Sequence, residues 1–214
     1  MSADWTAVLL FAGATSITPG PNNAMLLASG ARFGFRATVP HLVGISLGLG
    51  GLIILCGVGV GAVVMASPAA SLALRILGSA YLLHLAWGLR RGLLVRSGGA
   101  ERPMGVPAAA LFQVANPKAW MMALSAVGTL MPDLGSWWLS LAVLTLIFMA
   151  VNLPCMALWA LAGTAMQRWM EVPAVRRGAT VLIILSLLLV AIHPWCSTVA
   201  YRLPISAETE GPTP

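Results

Sequence analysis

Charged residues are scarce in this sequence. Lysine, arginine, aspartate and glutamate together make up 8% of its 214 residues, while 59% are hydrophobic. A soluble domain of this length carries about 25% charged residues. Because so few charges cannot cover a surface that faces water, lipid must be the solvent for most of the chain. The sequence therefore predicts an integral membrane protein.

Acidic residues number six, half as many as the basic ones, and none of them lies inside a long apolar run. An enzyme acting within the membrane would need paired carboxylates, a Ser–His pair or a metal cluster in its interior. The three cysteines show no spacing typical of a disulfide framework or a metal site. We therefore expect no enzymatic activity, no metal and no cofactor.

Six apolar stretches follow one another along the chain, roughly at residues 5–31, 39–66, 71–89, 106–131, 137–166 and 178–199. A helix needs about 20 apolar residues to cross a bilayer. The polar inserts between the stretches are too short to fold as a second domain. The predicted fold class is an all-α integral membrane protein with six transmembrane helices, forming a single domain over residues 1–203 with a disordered tail at 204–214.

Positive charge is distributed unevenly among the loops. Nine arginines lie in the first, third and fifth loops, the second loop has none, and the fourth holds only Asp133. The positive-inside rule puts the arginine-rich loops in the cytoplasm and both termini on the other side. Because the basic residues sit in these short loops, the net charge of +6 reports orientation and does not indicate a nucleic-acid partner.

Two short motifs interrupt the apolar stretches. Residues 18–23 read Thr-Pro-Gly-Pro-Asn-Asn in the middle of the first stretch, and residues 116–118 read Asn-Pro-Lys in the middle of the fourth. Proline lacks an amide hydrogen and clashes with the preceding helical turn. Each helix should break there and restart with Pro21 or Pro117 at its first position, where no donor is needed.

The two breaks occupy corresponding places in two halves of the chain. The first stretch enters the membrane from outside and the fourth from inside, so the pattern predicts two inverted three-helix repeats, at about 4–95 and 104–203. Interrupted helices in matching positions point to the binding site of a transporter. Restarted helix N-termini would offer free N–H groups and partial positive charge to a carboxylate near the midplane. The alternative is that both motifs are kinks relieved by neighbouring helices.

The motifs resemble the LysE/RhtB family of bacterial amino-acid exporters. The resemblance rests on residues 18–23, on Gly34-Phe-Arg36, on Gly-Ile-Ser-Leu-Gly at 44–48, and on Gln-Val-Ala-Asn-Pro-Lys at 113–118, and it covers nearly the whole chain. Residues 159–163 with 167–168 look like the branch that exports cysteine and O-acetylserine.

The resemblance implies a proton-coupled exporter of small neutral amino acids or derivatives, of the cysteine, O-acetylserine or homoserine/threonine type. It implies a bacterial inner membrane location, with both termini periplasmic. The expected partners are an amino-acid substrate, protons and the lipid bilayer, and a homodimer is left open. A channel or a structural membrane subunit is the alternative function, and the direction of transport is not fixed by sequence.

The two breaks give eight candidate substrate-binding residues: Pro19, Gly20, Pro21, Asn22, Asn23, Asn116, Pro117 and Lys118. A lysine near the midplane is a functional candidate by default. It would pair with a substrate carboxylate or hold carbonyls that are opened at the other break. The amides of Asn22 and Asn23 would bind substrate or satisfy freed backbone groups, and Asn116 would cap the restarted helix or act as a ligand.

Two further positions carry open alternatives. His84 is the candidate for proton coupling, since imidazole gains and loses a proton near neutral pH and no acid lies inside a predicted span. A packed, hydrogen-bonded histidine is the alternative. Asn152, two residues before Pro154 in the fifth stretch, marks a further kink or contributes to the substrate site.

Overall fold

The computed structural model describes residues 4–61, 66–89, 102–167, 169 and 172–200. Every regular element within these residues is helical, which confirms the predicted all-α class. Eight α-helices are present in this part of the chain: α1 (Trp5–Ile17), α2 (Pro21–Phe33), α3 (Phe35–Gly57), α4 (Pro68–Leu89), α5 (Val106–Ala115), α6 (Pro117–Thr129), α7 (Trp137–Ala165) and α8 (Pro173–Ala200).

The helices follow the six apolar stretches closely. The first stretch is divided into α1 and α2 and the fourth into α5 and α6, whereas α3, α4, α7 and α8 are each continuous. The helices differ from the stretches at both ends of the second one: α2 continues to Phe33 and α3 already begins at Phe35, and α3 ends at Gly57, before the predicted end of the second stretch at residue 66. Most of the third loop with its arginines, and the tail at 204–214, lie outside the described residues.

Both breaks occur at residues that precede a proline. Thr18 has ψ 140°, Gly20 has φ −175° and ψ −179°, and Asn116 has ψ 105°, so all three are extended. The ring of the following proline disfavours the helical region for the residue before it. The proline then becomes the first residue of the next helix, as predicted for Pro21 and Pro117.

Pro40 and Pro154 lie inside α3 and α7 without ending them. Pro40 is close to the start of α3, where few intrahelical bonds are lost. Pro154 stands alone in α7, with no glycine or second proline beside it, and the helix continues for eleven further residues. Pro154 therefore does not end α7, whereas Pro21 and Pro117 each begin a new helix.

One residue, Gly34, connects α2 to α3. Its φ is +81°, a left-handed conformation that residues other than glycine rarely adopt, and its N–H donates to the Gly30 carbonyl at 2.9 Å. The chain therefore reverses direction between two helices without a loop.

The helices pack in a crossed pattern between the two halves of the chain. α7 contacts both α1 and α2, α3 contacts both α5 and α6, and α4 packs against α8. Two buried apolar clusters lie along α3 and α7. One includes Leu52 and Phe148 and the other includes Leu42 and Met156. The middle of each of these two helices lies between the clusters.

Glycines allow the closest helix approaches. A side chain added at Gly30 of α2 would meet the Ala160 carbonyl of α7, and one added at Gly163 of α7 would meet the Leu27 carbonyl of α2. Gly44 and Gly48 of α3 similarly face the backbone of α5. Small residues at crossings are typical of helices that associate in a membrane.

The outer surface of the described residues is apolar. Large side chains such as Leu10, Leu111 and Leu189 are more than 60% exposed. Two of the described helices, α3 and α7, are long and apolar enough to cross a membrane by length and composition.

The crossing of α2 and α7 generates a stability prediction. Gly30→Ala and Gly163→Ala should each destabilise the protein by about 1–3 kcal/mol, because the new methyl groups force the two backbones apart. Thermal unfolding of the purified protein in detergent, followed by tryptophan fluorescence, measures this loss.

Gly51→Ala serves as the control in a neighbouring helix, because a side chain added at Gly51 meets nothing within 4 Å. It should leave the unfolding temperature unchanged or slightly raised. A wild-type unfolding temperature for Gly30→Ala would show that α2 and α7 do not approach so closely.

Candidate functional site

A cavity of about 20 Å³ lies where the two helix breaks meet. Its lining comes from α1, α2, α3, α5, α6 and α7, and includes these predicted residues: Gly20, Pro21, Asn22, Asn23, Asn116 and Lys118. Pro19 and Pro117 do not line it. The volume is enough for a water molecule but not for an amino acid.

The Lys118 side chain connects the two breaks. Its ammonium donates to the Thr18 carbonyl at 2.7 Å, to Thr18 Oγ1 at 3.0 Å and to the Pro19 carbonyl at 3.5 Å. These oxygens follow the end of α1, where the helix dipole is negative. Two roles were predicted for Lys118: pairing with a substrate carboxylate, or holding the carbonyls that are opened at the other break. The contacts in this structure are those of the second role.

The end of α1 is satisfied almost entirely by side chains. Asn23 Nδ2 donates to the Ser16 carbonyl at 3.1 Å and to the Thr18 carbonyl at 2.7 Å. Trp159 Nε1 of α7 donates to the Ile17 carbonyl at 3.2 Å. The Asn23 amide nitrogen therefore donates to carbonyls that lose their helical partners at the proline break. Satisfying freed backbone groups is one of the two roles predicted for Asn23.

A pair of amides joins α2 to α5 across the cavity. Asn22 Nδ2 donates to Gln113 Oε1 at 3.0 Å, and Gln113 Nε2 donates back to Asn22 Oδ1 at 3.2 Å. Gln113 is 1% exposed, and Asn116 Nδ2 also reaches its Oε1 at 3.5 Å. Sequence reasoning did not single out Gln113. The feature that could have identified Gln113 as a site residue is its polar side chain in an apolar run, one helical turn before the break at Asn116.

The two restarted helices differ at their N-termini. Asn116 caps α6, because its Oδ1 accepts from the Lys118 N–H at 3.1 Å and its carbonyl accepts from the Ala119 N–H at 3.0 Å. Gly20 precedes α2 and offers no side chain, so no capping side chain satisfies the N–H groups of Asn22 and Asn23. The prediction that both N-termini offer free amides is therefore wrong for α6, where an asparagine stands in place of a glycine.

Asn152 completes the polar lining from α7. Its Nδ2 donates to Ser16 Oγ of α1 at 3.2 Å, and both residues line the cavity. Its Oδ1 is buried and has no hydrogen-bond partner. The cavity thus contains both positive groups and an unused acceptor.

Two further expectations concern the His84 side chain and metal binding. His84 lies in α4, and its side chain is outside the described part of the chain. Among the residues that the structure describes, no three His, Cys, Asp or Glu side chains lie close enough to hold a metal ion.

Comparison with known proteins shows the family of this chain. Residues 14–196 match the family model described as LysE type translocator. The chain belongs to the LysE family. This membership confirms the resemblance carried by the motifs, and it makes the protein a membrane translocator.

Named relatives of this LysE-type chain share one description, cysteine/O-acetylserine efflux protein. Those from Escherichia coli strain K12, Shigella sonnei strain Ss046 and Shigella flexneri are each 32% identical to it over 193 residues. The alignment covers 89% of this chain and 93% of each relative. No solved structure matches the chain.

The satisfied end of α1 generates a prediction for Asn23. Asn23→Leu should destabilise the protein by at least about 1–3 kcal/mol, because buried carbonyls lose their donor. The unfolding temperature in detergent measures the effect. Thr129→Val is the matched control, since Thr129 Oγ1 bonds only to the Ser125 carbonyl of its own helix. Equal unfolding temperatures for the two variants would contradict the capping role of Asn23.

Proposed function

We propose that this protein exports small neutral amino acids or their derivatives, of the cysteine, O-acetylserine or homoserine/threonine type, across the bacterial inner membrane. The LysE-family match and the shared description of the relatives support this substrate class. The observation that carries the proposal is the uncapped N-terminus of α2, which opens into a cavity with Lys118 beside it. All eight predicted residues remain part of the proposed site.

Six transmembrane spans in two inverted repeats form the proposed architecture, within one domain over residues 1–203. In each repeat the first span is broken and the second is a continuous helix. α3 packs against both parts of the broken span of the other repeat, α5 and α6, and α7 does the same with α1 and α2. This reciprocal packing is what an approximate two-fold axis would produce.

The cavity lies near the bilayer midplane in this proposal. It is lined by Ile45 and Leu49 from the middle of α3 and by Asn152 from the middle of α7, with an apolar cluster on either side along both helices. A polar layer between two apolar layers is tolerated at membrane depth only where it is buried in protein or lines a cavity.

The arginine-rich ends of the helices would face the cytoplasm, which leaves both termini periplasmic. Arg32 lies in the last turn of α2. Thr164, near the end of α7, donates to the Gly30 carbonyl at 3.3 Å, so the ends of α2 and α7 lie on the same side. The positive-inside rule assigns that side to the cytoplasm.

The substrate carboxylate would bind at the start of α2. The helix dipole gives this end partial positive charge, and the uncapped N–H groups of Asn22 and Asn23 act as donors. The Lys118 ammonium is close by, because a methyl group added at Gly20 would lie 3.2 Å from Lys118 Nζ. Asn23, Asn116 and the prolines hold the breaks in shape around this end.

The cavity must widen before an amino acid enters, because it holds only about 20 Å³. The reciprocal Asn22–Gln113 bonds join the two halves of the chain across it, beside the bonds from Lys118 to Thr18 and from Asn152 to Ser16. Separation of these two amides would open the cavity, and the substrate would replace the hydrogen bonds that they lose. This exchange keeps the polar groups paired throughout the cycle.

Transport by purified protein in liposomes tests the proposed site. Lys118→Met should lower the initial rate of cysteine counterflow by about tenfold or more, because a charge-assisted contact is lost. Pro21→Ala should also lower it, since the start of α2 is no longer fixed by the ring. Met121→Ala, an exposed position on α6, is the control that retains the wild-type rate. Wild-type rates for both site variants would refute the site, and a flux that rises linearly without saturation would indicate a channel.

Proton coupling is proposed to pass through His84, because no acidic side chain among the described residues lines the cavity. His84→Gln should reduce export driven by a pH gradient to the rate measured without one, while exchange at equal pH continues. Glutamine keeps the polarity of the side chain but does not carry a proton near neutral pH. Rates with and without an uncoupler measure this dependence.

His41→Gln provides the comparison for that experiment. His41 is 2% exposed in α3 and both of its ring nitrogens lack partners, but it does not line the cavity. We expect this variant to keep its dependence on the gradient. The reverse result, with gradient dependence lost at His41 and kept at His84, would assign the proton to α3.

A further inference from the structure

Asn152, one of the residues that line the cavity, carries a buried polar atom without a partner. Its side chain is 2% exposed, and its Oδ1 has no hydrogen-bond partner. Buried polar side-chain atoms almost always have a partner, so each exception requires an explanation. Solvation from outside the protein is no explanation, because the atom is inaccessible.

One polar atom of the Asn152 side chain is bonded in this structure and the other is not. Nδ2 is held by Ser16 Oγ at 3.2 Å. The available group is therefore an acceptor, the carbonyl oxygen. A donor group on the substrate would satisfy this oxygen, and that donor would be absent when no substrate is bound.

Asn152 also lies toward the negative side of the break. Its partner Ser16 is next to the last residue of α1, where the carbonyl end of the helix carries partial negative charge. The uncapped N-terminus of α2 provides the positive side of the same cavity, and the Lys118 ammonium lies between the two sides, bonded to the Thr18 carbonyl. A zwitterion is the ligand class whose charges match these two sides.

We propose that Asn152 Oδ1 accepts a hydrogen bond from the α-ammonium group of the substrate, whose carboxylate is held at the start of α2. This inference rests on the proposed function and deepens it, because it adds a binding residue from α7 and assigns it a specificity. Asn152 would make the site select α-amino acids over carboxylic acids of the same size that lack the amino group.

A binding experiment with three related thiols tests this assignment. Cysteine has both charged groups, 3-mercaptopropionate lacks the amino group, and cysteamine lacks the carboxylate. Binding of radiolabelled cysteine to the purified full chain, under reducing conditions, is competed with each compound. Wild-type protein should bind cysteine about 10- to 100-fold more tightly than 3-mercaptopropionate, as expected for one hydrogen bond to a charged group.

Two substitutions at Asn152 should move this ratio in opposite directions. Asn152→Leu removes the acceptor, so cysteine should bind about as weakly as 3-mercaptopropionate, whose own affinity stays within about threefold of wild type. Asn152→Asp keeps an acceptor and adds negative charge, so the preference for cysteine should be retained or increased. Thr145→Val is the matched control on α7, because Thr145 Oγ1 bonds to the Leu141 carbonyl within the helix and does not line the cavity.

Each other outcome decides between the proposals. Equal weakening of cysteine and 3-mercaptopropionate by Asn152→Leu would overturn the inference, since it would show a structural role. Loss of discrimination against cysteamine instead would overturn it by assigning Asn152 to the carboxylate. Binding with the predicted ratios but without transport in liposomes would leave the inference standing and refute the proposed export. Failure of wild-type protein to bind cysteine, O-acetylserine, homoserine or threonine would refute both.

Discussion

The hydrogen bonds from Lys118 and Asn23 to the carbonyls after α1 make the rest of this structure possible. A helix opened in a membrane interior leaves carbonyls that lipid cannot satisfy, and each costs several kcal/mol. Here the donors come from the next helix of the same span and from the broken span of the other half. The first break is therefore stable only while the second break is packed against it, so the two halves of the chain specify one site together.

This arrangement also separates charge without any acidic residue. The carbonyl end of α1 and the amide end of α2 face each other across residues 18–20, and Lys118 adds a full positive charge beside them. Helix ends provide partial charges that need no counter-ion. A site of this kind suits a small zwitterion, whose own two charges replace the protein groups that separate when the cavity opens.

Much of the fold could be predicted from the sequence, because lipid imposes simple rules. Apolar stretches gave six regions of helix, and the restriction that proline places on the preceding residue located both breaks, at Thr18 to Gly20 and at Asn116. The contacts within the site could not be predicted in the same way. The Asn22–Gln113 pair joins residues 91 positions apart, and Asn152 meets Ser16 across 136, so only the packing of helices brings them together. Capping of α6 by Asn116 was one of the two predicted roles of that residue, and the hydrogen bond from the Lys118 N–H to Asn116 Oδ1 decides between them.

The connection through Gly34 has a mechanical consequence. Only Gly34 separates α2 from α3. A tilt of α2 that moves Asn22 away from Gln113 would therefore also move α3. On the other side of α2, residues 18–20 connect α1 to α2 in an extended conformation and can absorb the rotation that α1 does not follow. The first span would then bend at the Pro-Gly-Pro segment. The movement of α2 would pass through α3 to the opposite repeat.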